Sequence, residues 1–146
     1  MAETQYDVTG IGNAIVDVLT QADDAFIADH GLEKGAMTLI DTETIYGDMG
    51  SAVEVSGGSA ANTIAGLANL GARGAYIGKV AKDQLGEVFA HDIRAAGVNF
   101  DTTPLEGDAT TARSMILVTP DAERTMQTYL GACALLGPED VPDDLI

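Results

Sequence analysis

Positive charge is scarce in this chain: 7 Lys and Arg stand against 23 Asp and Glu, a formal charge of −16. A surface that acidic repels phosphate backbones and anionic lipid, so the sequence argues against nucleic-acid and membrane-surface partners and for solubility in a salty cytoplasm. Cysteine is scarcer still. Cys133 stands alone, so no internal disulfide can form, and one cysteine with two histidines is too small a set for a zinc site. Cys133 therefore reads as a small buried apolar residue rather than a nucleophile. No apolar run approaches the ~18 residues a bilayer span requires. The start, MAETQYDV, has neither a basic n-region nor an apolar h-region, so a cytoplasmic protein without a secretory signal is expected.

Several catalytic signatures are missing as well. GxxxxGK[ST], HExxH, CxxC and GxSxG do not occur, which removes the P-loop, zinc-hydrolase, redox and nucleophile-elbow readings. Gly10-Ile11-Gly12 opens like a dinucleotide fingerprint, but Ile15 occupies the third glycine position. A nicotinamide-binding domain rests on that partial match alone.

What is present is an apolar fraction of 46% in 146 residues, enough for one domain with a real core. Tyr6–Gly12, Ala14–Leu19 and Ala36–Ile40 read as strands, and Asp23–Gly31 as a short helix with an aspartate cap and a glycine stop. A helical stretch is expected around Glu43 to Met49. Ala61, Ile64, Ala65 and Ala68 recur at helical spacing up to Gly71. Ala75–Val80 then reads as a strand, Asp83 caps a helix ending at Gly97, and Val98–Phe100 opens another strand. Helix and strand in alternation predict parallel crossover units and an α/β sheet. Arg113–Val118 and Arg124–Leu130 flank a turn at Pro120-Asp121 and predict a hairpin. Pro138–Ile146 resembles a helix N-terminus cut short at Leu145-Ile146, as a truncated chain would be.

Polar residues inside apolar strands mark where chemistry can lie. Asp17, between Val16 and Val18, must be satisfied by a backbone amide, a cation or a ligand's hydroxyls, since burying an unpaired carboxylate costs several kcal/mol. A capping or turn aspartate is the alternative. Asn13 follows a glycine as turn residues do, and Asn62 sits one turn into a helix of small residues. In Ser56-Gly57-Gly58-Ser59-Ala60-Ala61-Asn62-Thr63 the glycine pair permits close backbone approach, and the free amides of the helix favour an anionic or polyhydroxy ligand.

Taken together, Gly12–Asp17, Gly57–Thr63, Leu70-Gly71 with Gly78–Val80 and Asp83–Gly86, and Glu123–Met126 running to Leu130–Ala132 resemble the ribokinase-like (PfkB-type) sugar and nucleoside kinases. The GNAIVD and ERTM…YLGA wording is most similar to bacterial adenosine-kinase-like members. The resemblance implies a doubly wound α/β core with a small β-sheet lid, built from about residues 18–56 and 107–129. It implies that Asp17 accepts hydrogen bonds from two substrate hydroxyls, and that Asn13, Gly57, Gly58, Ser59 and Asn62 line the same sugar site. Gly57-Gly58 would serve as the lid hinge, Met37 and Leu39 would face the rest of the substrate, and Arg124 would approach the phosphoryl group. ATP and Mg²⁺ are the implied cofactors.

The chain departs from that pattern in one large respect. A DTxGAGD-like element, which in such kinases supplies the base and a glycine-rich anion hole, is absent, as is the NxxE metal-associated element. The expectation is the N-terminal part of a kinase, with no catalytic base of its own and no metal ligands. It would act on a primary hydroxyl of an adenosine-like nucleoside. A kinase for ribose, fructose or a keto-deoxy sugar acid is the alternative, and a non-catalytic module dimerising through the lid sheet is another.

Overall fold

The computed structural model describes residues 5–41 and 45–145. Val8–Ile11 (β1) and Ile15–Gln21 (β2) lie close in sequence but enter different sheets. Asp24–Asp29 (α1) follows, capped by Asp23, whose Oδ1 accepts the Phe26 N–H at 2.7 Å. Met37–Ile40 (β3) and Val53–Gly57 (β4) precede the helix Ser59–Asn69 (α2). Gly74–Ile77 (β5), Gln84–Ala95 (α3) and the hairpin Ala112–Val118 (β6) with Arg124–Tyr129 (β7) complete the elements.

β1 and β5 form a parallel pair, extended by a single parallel bridge from Ala75 to Asn99. The remaining strands make a five-stranded mixed sheet in the order β3-β7-β6-β2-β4. The α/β class expected from the alternation is the class observed. Three local readings are corrected. β5 stops at Ile77 rather than Val80, because Gly78 and Lys79 leave the sheet with Gly78 N–H directed to the Thr102 hydroxyl at 3.4 Å. The strand expected at Val98–Phe100 is reduced to the bridge at Asn99. β4, which the sequence pattern did not reveal, is an edge strand whose Val53 and Val55 are exposed, so its apolar–polar alternation faces no core.

The helical stretch expected from Glu43 begins outside the described residues, and its remainder is a 3₁₀ turn at Tyr46–Asp48. At the C-terminal end, two short 3₁₀ turns, Pro138–Asp140 and Asp143–Leu145, stand where a helix start was expected, and Ile146 lies outside the described residues.

One core cluster joins both sheets. Tyr76 of β5, Phe89 of α3 and Phe100 pack with centroids 5.4 to 6.1 Å apart, alongside Ala14, Val16, Ile64 and Ile93. Gly10 and Gly12 let α2 lie directly on β1: a Cβ at Gly10 would come within 2.5 Å of Ile64 Cγ1, and one at Gly12 within 2.9 Å of Ala60 Cβ. The Gly-x-Gly that looks like half a nucleotide fingerprint is thus a helix–strand packing device. Cys133 is buried, donates to the Leu130 carbonyl at 2.8 Å, and burial pushes its thiol up to about 11, so it is inert as a nucleophile.

A smaller cluster, Ile27, Ile45, Met115 and Leu117, lies under α1 on one face of the five-stranded sheet. His30 clamps it from outside, with Nδ1 at 2.9 Å from the Phe26 carbonyl and Nε2 at 3.2 Å from Asp48. The Phe26 carbonyl, then Asp48, raise the imidazole pKa above 6.5. A raised folded-state pKa gives stabilisation that is full below the unfolded value and disappears as pH rises through the folded one. We therefore expect part of the fall in Tm between about pH 6 and pH 8 to vanish in His30→Gln. An unchanged pH profile in the variant would show that the clamp does not titrate.

Candidate functional site

The strand register decides which residues meet. Alternate residues on a strand share a face, and partners read across the five strands fall into rows. One row runs Leu39, Thr128, Ser114, Asp17, Val55. The next runs Met37, Met126, Ile116, Leu19, Val53, and is apolar throughout. On the opposite side of the Asp17 row lies a row of small or apolar residues, Ala112, Ile15 and Gly57. All of these occupy the face turned away from the Ile27 cluster; Ala112, Ser114, Ile116 and Thr128 on the central strands are buried, while Met37, Leu39 and Val53 on the two edge strands are 56%, 60% and 67% exposed.

Asp17 is half-buried, and among the described residues no hydrogen bond or ion pair reaches its carboxylate. Burial pushes its pKa up from the ordinary carboxylate value. The carboxylate lies against Gly57, where a Cβ would overlap both of its oxygens. Beside it in the row, the Ser114 and Thr128 hydroxyls bond each other at 2.9 Å and are almost fully buried. Sequence reasoning missed these two. The available signal was a lone serine at the centre of an apolar strand, but its meaning depends on pairing with Asp17 and Thr128.

At the corner of the sheet next to Asp17, β4 turns into α2. Gly58 takes φ +96° as the residue before the helix, and a Cβ there would overlap the Asn13 carbonyl, so both its conformation and its surroundings require glycine. Its carbonyl accepts the Asn62 N–H at 2.9 Å and starts α2. Asn13, Asp17, Gly57, Gly58, Ser59 and Asn62 are thereby gathered at this corner, and the Asn13, Ser59 and Asn62 side chains are exposed.

Three named residues are not gathered there. Leu39 shares the Asp17 row but sits three strands away, about 14 Å at about 4.8 Å per strand. Met37 lies on the same edge strand, one row further on. Arg124 pairs with Val118 and is level with Gln21, so it stands four residues, about 13 Å, along the sheet from Asp17 and two strands across. It is exposed, with no hydrogen bond or ion pair among the described residues.

A groove of about 710 Å³ lies elsewhere, between α3 and residues 98–104, and holds none of the named residues. A smaller pocket of about 380 Å³ adjoins the corner, lined by Gly10, Ile11, Ser59, Ala60, Thr63 and Ile64. Among the described residues no group of three or more His, Cys, Asp or Glu side chains could hold a metal ion.

The chain is 62% identical to the adenosine kinase of Sinorhizobium meliloti, with a TM-score of 0.88 over 97% of this chain and 44% of that one. It is 56% identical to a probable sugar kinase of Rhizobium etli CFN 42, with a TM-score of 0.87 and the same coverage. Over 92 residues it is 35% identical to the probable fructokinase-6, chloroplastic, of Arabidopsis thaliana, which covers 62% of this chain and 24% of the fructokinase. The chain thus spans less than half the length of these relatives. The family profile described as pfkB family carbohydrate kinase matches residues 36–145, and with it the chain belongs to the pfkB family of carbohydrate kinases.

Proposed function

We propose that this chain is the N-terminal, substrate-binding part of an ATP-dependent kinase that phosphorylates a primary hydroxyl of an adenosine-like nucleoside. The observation that carries the reading is the adjacency of two rows. Asp17 offers a carboxylate without a partner among the described residues, next to the mutually bonded Ser114 and Thr128 hydroxyls and beside a continuous apolar row of Met37, Met126, Ile116, Leu19 and Val53. An ionised carboxylate can take two hydroxyl protons at once, and such charge-assisted bonds are strong. A ribose held there would leave a flat apolar base over the neighbouring row, which a sugar alone would leave uncovered. The likeness to an adenosine kinase at 62% identity points the same way.

In this reading the five-stranded sheet is a lid built from about residues 18–56 and 107–129, and Gly57-Gly58 is its hinge. Asn13, Ser59 and Asn62 contact the sugar. Leu39 and Met37 close over the base from the far edge strand, and Arg124 approaches the phosphoryl group only when the lid closes. ATP, Mg²⁺ and the catalytic base fall to the part of such kinases that this chain does not span.

Calorimetric titration of the intact kinase with adenosine, then ribose and fructose, tests the reading. Adenosine binding at least about tenfold tighter than either sugar is expected, and binding of a sugar alone would replace the nucleoside with a sugar substrate. A second reading has one observation in its favour: the exposed apolar residues of the two edge strands, Leu39 and Val53, suit pairing with a second copy. Sedimentation of the 146-residue chain as a monomer would remove that reading. Phosphoryl transfer by this chain alone would contradict the division of labour proposed above.

A further inference from the structure

We infer that Asp92 of α3 is a positioning residue for the substrate corner, latching the end of β4 to the core helix. β4 is the edge of its sheet and pairs with β2 alone, with Ser56 opposite Val16. The Ser56 N–H turns away from β2 and donates to Asp92 Oδ2 at 3.1 Å. An outward N–H on an edge strand ordinarily goes to water, so a carboxylate brought to it from 36 residues away is a specific tether.

The tether stands at a consequential place. Gly57 and Gly58 are all that separate Ser56 from the first residue of α2. Gly57 backs the Asp17 carboxylate and Gly58 backs the Asn13 carbonyl. Three successive residues are thus fixed to three different partners: α3, Asp17 and the β1–β2 connection. α3 is itself immobilised, by Phe89 and Ile93 in the core and by Asp83. The latter accepts the Gly86 N–H at 2.8 Å and the Thr111 N–H at 2.8 Å.

Turning the backbone at Gly57-Gly58 so as to swing β4 would pull Ser56 away from Asp92. The bond therefore either holds the corner in the conformation that sets Gly57 against Asp17, or breaks when β4 moves. Other charged groups nearby are already engaged. His91 Nδ1 lies 3.3 Å from Asp92 Oδ1, the oxygen that Ser56 does not use, and Glu54 accepts the Tyr46 hydroxyl at 3.0 Å.

The latch is a property of the fold; its effect on substrate rests on the kinase reading, and one experiment separates the two. By the alternation of an antiparallel strand, Glu54 also turns its N–H outward and serves as an internal control. In residue-resolved amide exchange on the 146-residue chain, Ser56 should exchange at least about tenfold more slowly than Glu54. Asp92→Ala should abolish the difference, and Asp92→Asn, which keeps an acceptor oxygen, should retain most of it. Adenosine affinity, read by calorimetry on the intact kinase carrying the same substitutions, should weaken about three- to tenfold in Asp92→Ala and less than about twofold in Asp92→Asn.

Equal exchange at Ser56 and Glu54 in the unaltered chain overturns the latch, even if Asp92→Ala does not fold. Loss of protection with undiminished adenosine affinity overturns the positioning role. An unaltered intact kinase that binds neither adenosine nor fructose counts against the kinase reading, and the exchange comparison on the 146-residue chain then still decides the latch.

Discussion

Asp17→Asn in the intact kinase is expected to lower kcat/KM by about 2–4 kcal/mol, roughly 30- to 1,000-fold, while leaving the stability of the free fold unchanged or slightly raised. The two halves of this expectation have one cause. The Asp17 carboxylate is half-buried against Gly57, its pKa is raised by that burial, and no described residue donates to it. A carboxylate without an internal partner costs the free protein desolvation energy and returns it only when a ligand supplies donors. Asn keeps the shape but loses the charge, so the fold loses nothing while two charge-assisted hydroxyl contacts weaken. Steady-state kinetics with thermal unfolding of the same variant checks both halves. A large fall in Tm with undiminished kcat/KM would make Asp17 a structural residue.

Lys79→Met is expected to destabilise the fold by about 3–5 kcal/mol, the range for leaving one member of a buried ion pair without its partner. Lys79 Nζ is bonded to Asp140 Oδ1, and the two side chains are only 10% and 6% exposed. Asp140 Oδ2 also accepts the Gly137 N–H at 3.0 Å. Burial alone would raise the Asp140 pKa, but the Gly137 N–H and the Lys79 ammonium outweigh it and hold the carboxyl below its usual range. A depressed carboxyl contributes stability above its unfolded pKa and loses it as pH falls through the folded value, so the pair should also fail in acid. Its role is to pin the turn at Pro138–Asp140 to the loop after β5. Replacing both partners, as Lys79→Met with Asp140→Leu, should restore most of the loss, because no charge is then stranded. Urea unfolding of the single and double variants measures this; a single-variant cost below about 1 kcal/mol would place the pair among solvent-screened ones.

Helices α1, α2 and α3 were legible because their signals are local, whereas the helical stretches expected around Glu43–Met49 and Pro138–Ile146 are short 3₁₀ turns among the described residues. Asp23 and Asp83 occupy cap positions and accept N–H groups three residues on, while Gly71 and Gly97 take φ +97° and +87° just past the helix ends. The hairpin was legible for a similar reason, since two strand-like runs, Arg113–Val118 and Arg124–Leu130, flank a turn at Pro120-Asp121. β4 was not, because an edge strand with apolar residues pointing outward carries no burial signature, and its partner lies some forty residues earlier in the chain. β5 ran too long in the sequence reading because the apolar texture continues past Ile77, although the backbone there leaves the sheet for Thr102 and Lys79 turns to Asp140.

By itself, the sequence determined the α/β class, helices α1 to α3, the single cysteine and the excess of acid, which are matters of composition, period and spacing that a chain carries before it folds. Membership of the pfkB family was legible only through the resemblance of its motifs, Gly12–Asp17 and Gly57–Thr63 among them, to that family. Only the tertiary structure decided that Gly10 and Gly12 serve helix packing, that Ser114 and Thr128 share a row with Asp17, and that Arg124 stands far along the same face. It also decided that Asp92 reaches Ser56. Strand register and contacts between distant segments select these neighbours, and a one-residue slip of β6 or β7 would turn Ser114, or Thr128 and Arg124, to the opposite face.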